Sequence, residues 1–250
     1  MRSVVFANGL LRRPDFLLRL LRADDWIVAA DGGARHCLAL GLTPSLLIGD
    51  MDSLPEAARR RLQTAGTVVQ RFPEAKDETD LELALTHVAR HGADEILVAG
   101  ALGARWDHSL ANLVLGLSPI LAQATLTFDD GETSIAFLHA GQTRTLRGRS
   151  GDLVSLIPLN GNAEGVETRG LHYPLAHETL AFGSTRGVSN LLEAEEASVS
   201  IASGSLVCLL TRQRPPRRPM RRPSPKRPRR SRASSARADR RETRLRGGST

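Results

Sequence analysis

The chain has 250 residues, enough for one large domain or two modest ones. Its formal net charge of +7 is unevenly spread, since residues 212–250 carry 16 Lys+Arg against two Asp+Glu and residues 1–211 have a net charge of −7. Two distant cysteines without a CxxC motif, and no apolar run of about 18 residues, exclude a disulfide scaffold, a zinc ribbon and a membrane-spanning helix. We expect reduced, buried thiols in a cytoplasmic protein, with no signal peptide at the start.

Short apolar runs alternate with helical patterns up to about residue 130. The predicted strands are 4–7, 26–30, 46–48, 68–72, 95–99 and 124–128, and the predicted helices are 14–23, 34–40, 55–65, 79–91 and 106–117. This alternation predicts a mostly parallel sheet covered on both faces.

From about residue 131 the helical periodicity fades and short β-like runs appear between Gly, Asn and Pro residues. These runs are 133–138, 153–158, 163–168, 179–182, 197–202 and 205–210. Their spacing indicates a small all-β sandwich or barrel. We therefore predict an α/β domain over residues 1–140, a β domain over 141–211, and a disordered Arg/Pro/Ser-rich tail over 212–250, because the tail has too few apolar residues to offset its ordering entropy.

Acidic motifs follow several of the predicted strands. Asp31-Gly32-Gly33 follows the second strand, and its glycines allow a ligand to approach the backbone. Asp50 and Asp52, in Gly-Asp-Met-Asp-Ser, follow the third strand, although an isolated motif of this kind is also compatible with a polar turn. In an open α/β sheet, ligands bind at the carboxyl ends of the strands.

Two further motifs open predicted helices. Lys76-Asp77-Glu78-Thr79-Asp80 contains the only lysine of residues 1–211, and ordinary helix capping accounts for part of its acidity. The run 100–108 contains Arg105, which can grip phosphate oxygens, followed by Asp107 and His108.

The acidic side chains Asp50, Asp52, Asp80 and Asp107 are all predicted at neighbouring strand ends, where desolvated carboxylates would repel one another. A divalent cation such as Mg²⁺, bridging a polyphosphate, relieves that repulsion. The sequence contains neither GxxxxGK[ST] nor GxGxxG after the first strand, so a P-loop enzyme is excluded and dinucleotide binding lacks its signature.

As a set, and in this order, these motifs resemble the thiamine pyrophosphokinase family, and the resemblance covers residues 3–211. It continues in the second half with Gly151-Asp152, Ser155–Pro158, Gly170–Leu175 and Gly187-Val188-Ser189-Asn190. It implies a cytoplasmic homodimer that transfers the pyrophosphoryl group of ATP to the hydroxyl of thiamine, giving thiamine diphosphate and AMP with the help of Mg²⁺.

The resemblance also implies roles for individual residues. Metal binding falls to Asp50, Asp52 and Asp80, and these three with Asp107 form the catalytic set. The residues for ATP and its phosphates are Asp31, Gly32, Gly33, Lys76, Asp77, Arg105 and His108, and those for thiamine are Ser189, Asn190 and Asn112. A general base is expected among the aspartates, and the sequence leaves Asp80 and Asp107 as alternatives.

Two rival functions remain open at this stage. One is a pyrophosphokinase for another alcohol, such as a pterin carbinol. The other is a nucleic-acid-binding protein, since the basic tail could bind phosphates non-specifically, although it has no aromatic residue for base stacking.

Overall fold

The computed structural model describes residues 1–103 and 105–213, and these fold as one compact unit. The prediction of a disordered tail therefore lies outside the described residues, except for Arg212 and Gln213. Both are held by hydrogen bonds, Arg212 to Asp129 and Gln213 to Asp152, so for these two residues the prediction of disorder is wrong.

Residues 1–129 form the predicted alternation of strands and helices. The strands are β1 (Arg2–Phe6), β2 (Trp26–Ala30), β3 (Leu46–Gly49), β4 (Val68–Arg71), β5 (Glu95–Ala99) and β6 (Thr125–Asp129). The helices are α1 (Pro14–Leu18), α2 (Ala34–Ala39), α3 (Glu56–Thr64), α4 (Asp80–Arg90) and α5 (Trp106–Leu115), with short 3-10 turns at Asp31–Gly33 and Pro119–Leu121. The six strands are parallel, in the order β6-β5-β1-β2-β3-β4.

Alternating side chains of the strands face opposite helical layers, as the period of a strand requires. Val5 and Val28 pack with Leu85 of α4 on one face. Val4 and Phe6 pack with helices α1, α2 and α3 on the other face. Burial on both faces explains the nearly continuous apolar runs of these strands.

The second half forms antiparallel strands. They are β7 (Thr133–His139), β8 (Thr143–Arg147), β9 (Leu153–Pro158), β10 (Ala163–Arg169), β11 (Glu178–Leu180), β12 (Asn190–Leu191), β13 (Glu196–Ser200) and β14 (Ser205–Thr211). Four of them extend the parallel sheet in the order β12-β9-β14-β7-β6, and the other four form a second sheet, β11-β10-β13-β8.

The two antiparallel layers enclose a common core. Leu138 and Leu156 of the large sheet pack with Leu146, Val166 and Val199 of the small one. The predicted fold class, a parallel α/β half followed by a β sandwich, is confirmed. The boundary at residue 140 stays a prediction, because strands from both sides of it share the ten-stranded sheet.

Two strands were not predicted, β8 and the two-residue β12. Strand β8 (Thr-Arg-Thr-Leu-Arg) has a single buried apolar side chain, Leu146, which is too little for an apolar run to indicate a strand. None of the described helices combines the length and the hydropathy that a membrane crossing requires.

Candidate active site

The turn after β2 brings Asp31 to the carboxyl end of the parallel sheet. Asp31 is 5% exposed and has a φ of +39°, a left-handed conformation that costs a non-glycine residue about 1 kcal/mol or more. Gly33 permits this path, because a Cβ there would lie 1.9 Å from the carbonyl oxygen of Phe6 in β1. The Asp-Gly-Gly sequence is therefore explained first by a tight strand-to-helix turn.

In the loop after β3, one side chain packs into the core and two acids line a cavity. Met51, with a φ of +72°, packs its side chain into the core, while Asp50 and Asp52 line a cavity at the sheet edge. Gly49, just before them, leaves room for Asp31 and Asp80, since a Cβ there would lie 2.9 Å from the Asp31 Cβ and 2.9 Å from Oδ1 of Asp80. A glycine at this position thus allows three carboxylates from different loops to converge.

Helix α4 supplies the next acid. Its N-cap is Thr79, whose hydroxyl accepts a hydrogen bond from the backbone N–H of Glu82 (3.2 Å). Lys76 lies just before this turn, with Nζ 3.2 Å from Oδ2 of Asp50 and 3.1 Å from Oδ1 of Asp80. A single ammonium group therefore bridges an acid of the loop after β3 and the first residue of α4.

The carboxylates around Lys76 have pKa values that move in opposite directions. Burial alone raises the pKa of Asp50, but the backbone N–H of Asp52 and the ammonium of Lys76 outweigh it, and the net shift is downward. Burial raises the pKa of Asp80, and the nearby Asp50 and Asp31 raise it further against the opposing effect of Lys76. Burial lowers the pKa of Lys76, but Asp80 and Asp50 together more than compensate, so that it is raised.

An oxygen-rich group suited to a hard cation lies among these residues. One carboxylate oxygen each of Asp31, Asp50 and Asp52 lies within 4.8 Å of the others. Oδ1 of Asp31 is buried and accepts no hydrogen bond from the described residues, and the partner of the buried Oδ1 of Asp80 is the ammonium of Lys76. Carboxylate oxygens with unused lone pairs fit the ligand preference of Mg²⁺. The family resemblance implied Asp50, Asp52 and Asp80 as metal ligands, and the geometry adds Asp31 to these candidates.

A cavity of about 330 Å³ opens in front of these acids, at the carboxyl ends of β1, β2, β3 and β5. Its opposite wall is formed by Asn8 and Gly9 after β1 and by Gly100 and Gly103 after β5. His36 lies behind this wall, with Nε2 2.8 Å from the carbonyl oxygen of Gly9. Sequence reasoning missed Asn8 and His36, although the position of Asn8-Gly9 directly after the first strand was an available signal.

Of the predicted site residues in the run 100–108 and in helix α5, only some line the cavity. Arg105, His108 and Asn112 line it, and Asn112 is buried, with its amide donating to the carbonyl oxygen of Ala101 (2.7 Å). Asp107 is exposed and forms an ion pair with Arg105 (2.5 Å). Hydrogen bonding from Arg105 lowers the pKa of Asp107 to about 2. The structure therefore does not bring Asp107 into the group that holds Asp31, Asp50, Asp52 and Asp80.

The remaining predicted residues lie elsewhere. Asp77 is exposed, and the backbone of Gly32 and Gly33 forms the turn behind Asp31. Ser189 has a φ of +64° and precedes β12 in the second half. The side chain of Asn190 accepts a bond from the backbone N–H of Tyr173 (2.9 Å) and donates to its carbonyl oxygen (2.7 Å). Within one subunit, neither Ser189 nor Asn190 lines the acidic cavity.

Both halves of the chain match known protein families. Residues 17–127 match the family described as "Thiamin pyrophosphokinase, catalytic domain", and residues 143–206 match "Thiamin pyrophosphokinase, vitamin B1 binding domain".

Individual relatives agree with these matches. The thiamine pyrophosphokinase of Bacillus subtilis (strain 168) is 29% identical over 184 residues, covering 74% of this chain and 86% of that protein. Thiamine pyrophosphokinase 1 of Oryza sativa subsp. japonica is 26% identical over 197 residues, covering 69% and 74%.

Solved structures extend the comparison to the fold. The crystal structure of thiamine pyrophosphokinase from Bacillus subtilis has a TM-score of 0.76 at 25% identity and covers 86% of this chain and 100% of that one. Thiamin pyrophosphokinase from Geobacillus thermodenitrificans gives 0.73 at 28% identity, covering 85% and 98%.

Proposed function

Because the chain belongs to the thiamin pyrophosphokinase family of enzymes, we propose that it transfers the pyrophosphoryl group of ATP to the hydroxyl of thiamine, with Mg²⁺ as cofactor. The products are thiamine diphosphate and AMP. The observation that carries the proposal is the convergence of Asp31, Asp50, Asp52 and Asp80 with Lys76 at the sheet edge.

Acidic residues would bind Mg²⁺, and basic residues would bind the phosphates of the nucleotide. Asp31, Asp50 and Asp52 would hold the ion, and Asp80, paired with Lys76, supplies a further carboxylate in the same cavity. Bound Mg²⁺ neutralises charge on the triphosphate and on the AMP leaving group. Lys76 and Arg105 would balance the remaining phosphate charge, with His108 and the exposed Asp77 at the edge of the nucleotide site.

Transfer to an alcohol needs in-line positioning and charge neutralisation more than covalent catalysis. The thiamine hydroxyl loses its proton to a carboxylate, its oxygen bonds to the β-phosphorus, and the bond from that phosphorus to the oxygen of the α-phosphate breaks. Asp80 suits the role of proton acceptor, because it lines the cavity and burial raises its pKa. Asp107 suits it less, because it is exposed and engaged by Arg105.

We also propose that the enzyme acts as a homodimer in the cytoplasm. Ser189 and Asn190, the proposed thiamine residues, do not reach the acidic cavity of their own subunit, whereas Asn112 lies in it. A second subunit could supply the missing part of the thiamine site. An exposed apolar stripe on α5, formed by Trp106, Leu110 and Val114, is a suitable contact surface next to that cavity. The two buried cysteines agree with a reducing compartment.

The test is AMP release from ATP by the purified chain, with and without thiamine, in Mg²⁺ and in EDTA. We expect AMP and thiamine diphosphate in equal amounts, only with thiamine and Mg²⁺ present. ADP as product would mean monophosphoryl transfer and a wrong mechanism. Turnover with a pterin carbinol but not with thiamine would favour the rival substrate, and activity in EDTA would remove the metal from the proposal.

A further inference from the structure

A second cavity, of about 540 Å³, runs along one face of the sheet beside β6, from Thr125 at the amino end of that strand to Asp129 at its carboxyl end. It is bordered by Arg2, Glu95 and Thr125, at the amino ends of β1, β5 and β6, and by strand β8. The acidic cavity lies at the carboxyl ends of β1, β2, β3 and β5 and shares no lining residue with the second one, so the two cavities are distinct.

The lining of this second cavity is strongly basic. Its ionisable side chains are five arginines and two carboxylates: Arg2, Arg22, Arg144, Arg147 and Arg212, with Glu95 and Asp129. Both carboxylates are already engaged, Glu95 by Arg2 and Arg22 and Asp129 by Arg212. Arg147 pairs with Glu196 outside the cavity (2.7 Å). Four of the five arginines thus have a carboxylate partner.

Arg144 is the arginine of this lining that has no carboxylate partner among the described residues. Its Nη2 donates to the carbonyl oxygen of Leu126 (2.9 Å), and within residues 1–103 and 105–213 no carboxylate lies at ion-pair distance from it. The side chain is largely buried, and burial lowers the pKa of Arg144, although a guanidinium stays charged at any physiological pH. The carboxylate of Glu95 opposes this shift in pKa, but it lies beyond ion-pair distance of Arg144 and is already paired with Arg2 and Arg22, so Arg144 keeps room for a direct anionic partner.

Neutral donors accompany that charge. Thr127 on β6 and Ser134 on β7 are half-buried and line the cavity, and each carries a hydroxyl that can donate to an oxyanion. A guanidinium fork with neighbouring hydroxyls matches phosphate oxygens better than a single carboxylate, and the cationic excess of the lining favours a ligand with more than one negative charge.

We propose that this cavity binds a small phosphate-bearing anion, with Arg144 as the principal charged contact and Thr127 and Ser134 as hydroxyl donors. The site goes beyond the proposed reaction, since it shares no lining residue with the acidic cavity.

The experiment is calorimetric titration of the full chain with inorganic phosphate and with pyrophosphate in EDTA, where the carboxylates of the acidic cavity repel phosphate. Arg144→Gln is expected to weaken binding of both probes roughly tenfold or more, because a charge-assisted contact is lost. Two controls should bind as the unaltered chain does: Arg169→Gln, an exposed arginine on β10, and Arg105→Gln in the acidic cavity. Unchanged binding in Arg144→Gln, no binding by the unaltered chain, or loss confined to Arg105→Gln would each overturn the proposal.

A second variant covers the case in which Arg144→Gln does not fold. Thr127→Asp introduces a carboxylate next to Leu126, whose carbonyl Arg144 already contacts. We expect it to pair with Arg144, to keep or raise thermal stability, and to abolish binding of both anions. A folded Thr127→Asp chain that still binds phosphate or pyrophosphate normally would contradict the assignment.

Discussion

At the residue scale, the cavity acids differ in how much they contribute to folding. Asp31 is buried in a constrained turn, whereas Asp52 is exposed on a loop that the neighbouring Met51 anchors. The function of Asp52 can therefore be removed with little effect on the fold.

We predict that Asp52→Ala lowers kcat by about 100-fold or more while the unfolding temperature stays unchanged, because the change removes a proposed ligand of Mg²⁺ and no packing contact. Steady-state AMP release and calorimetry without metal are the measurements, and Asp24→Ala, another exposed aspartate, is the control. A large fall in the unfolding temperature of Asp52→Ala would show that the residue is structural.

The two thiols give a pH prediction. Burial raises the pKa of Cys37 to about 12 and that of Cys208 to about 12. A raised pKa in the folded state means that the thiols contribute full stability below their unfolded pKa, and that this contribution is lost as pH rises from about 9 towards 12. The loss is at most about 1.4 kcal/mol per pH unit for each thiol.

We therefore expect a Cys37→Ala/Cys208→Ala chain to show a shallower fall in unfolding free energy above pH 9, whatever its stability at pH 7. Denaturant titrations at pH 8, 9 and 10 measure this slope. In the unaltered chain, a thiol-specific reagent at pH 8 should label neither cysteine until the protein unfolds. Rapid labelling of the native chain would contradict the burial.

The sequence predicted that Asp50, Asp52 and Asp80 lie near one another, and the structure brings them to one cavity. The first two belong to a motif that follows a predicted strand, and Asp80 belongs to a motif that opens a predicted helix, so both are local patterns. The contribution of Asp31 depends on its unusual φ and on the missing side chain of Gly49, which no spacing reveals. Asp107 lies outside this group of acids because its carboxylate accepts a hydrogen bond from Arg105, two residues earlier.

At the element scale, α5 is unusual because one of its faces is apolar and exposed. Trp106, Leu110 and Val114 recur every four residues and are 84%, 61% and 64% exposed. Side chains at this spacing form one stripe of a helix. A stripe of this kind is a candidate protein interface.

We predict that Leu110→Asp/Val114→Asp converts the proposed dimer into monomers and lowers activity, because charged groups would be desolvated in the contact. Sedimentation velocity checks the assembly, and Val68→Asp, an exposed apolar position on edge strand β4, is the control. A dimer that survives the double change would place the contact elsewhere.

Other elements show which strands could be predicted from the sequence and which could not. Strands β2, β5 and β9 were predicted with their observed bounds, because each is an apolar run with clear ends. Strand β8 was missed because its partner β13 and the core behind Leu146 stabilise it, not its own composition.

At the scale of the whole molecule, an ion pair joins the last described residues to the middle of the sheet. Arg212 reaches Asp129 through both of its terminal nitrogens (3.1 and 2.8 Å), and its guanidinium lies 4.2 Å from the centre of the Phe16 ring. Asp129 is only 3% exposed, so loss of Arg212 would leave a buried, unpaired carboxylate.

We predict that Arg212→Ala destabilises the full chain by about 3 kcal/mol, within the range for breaking a buried ion pair. A chain ending after residue 213 should keep both the stability and the thiamine-dependent activity of the full chain. Chemical denaturation of both proteins makes the comparison. Equal stability of Arg212→Ala and the unaltered chain would mean that water reaches Asp129.

The ten-stranded sheet has a mechanical consequence. Strands β6 and β7 join its parallel and antiparallel parts through the pairs Thr127–Ala136, Phe128–Ile135 and Asp129–Ser134, and Phe128 and Phe137 pack edge to face beside that seam. A hinge motion between the two halves would have to break these β6–β7 hydrogen bonds, so the two halves of one chain move as a single rigid body. The distance from the acidic cavity to Ser189 is then fixed within one chain. In the proposed homodimer, substrate binding would rely on the neighbouring subunit and not on closure of the two halves.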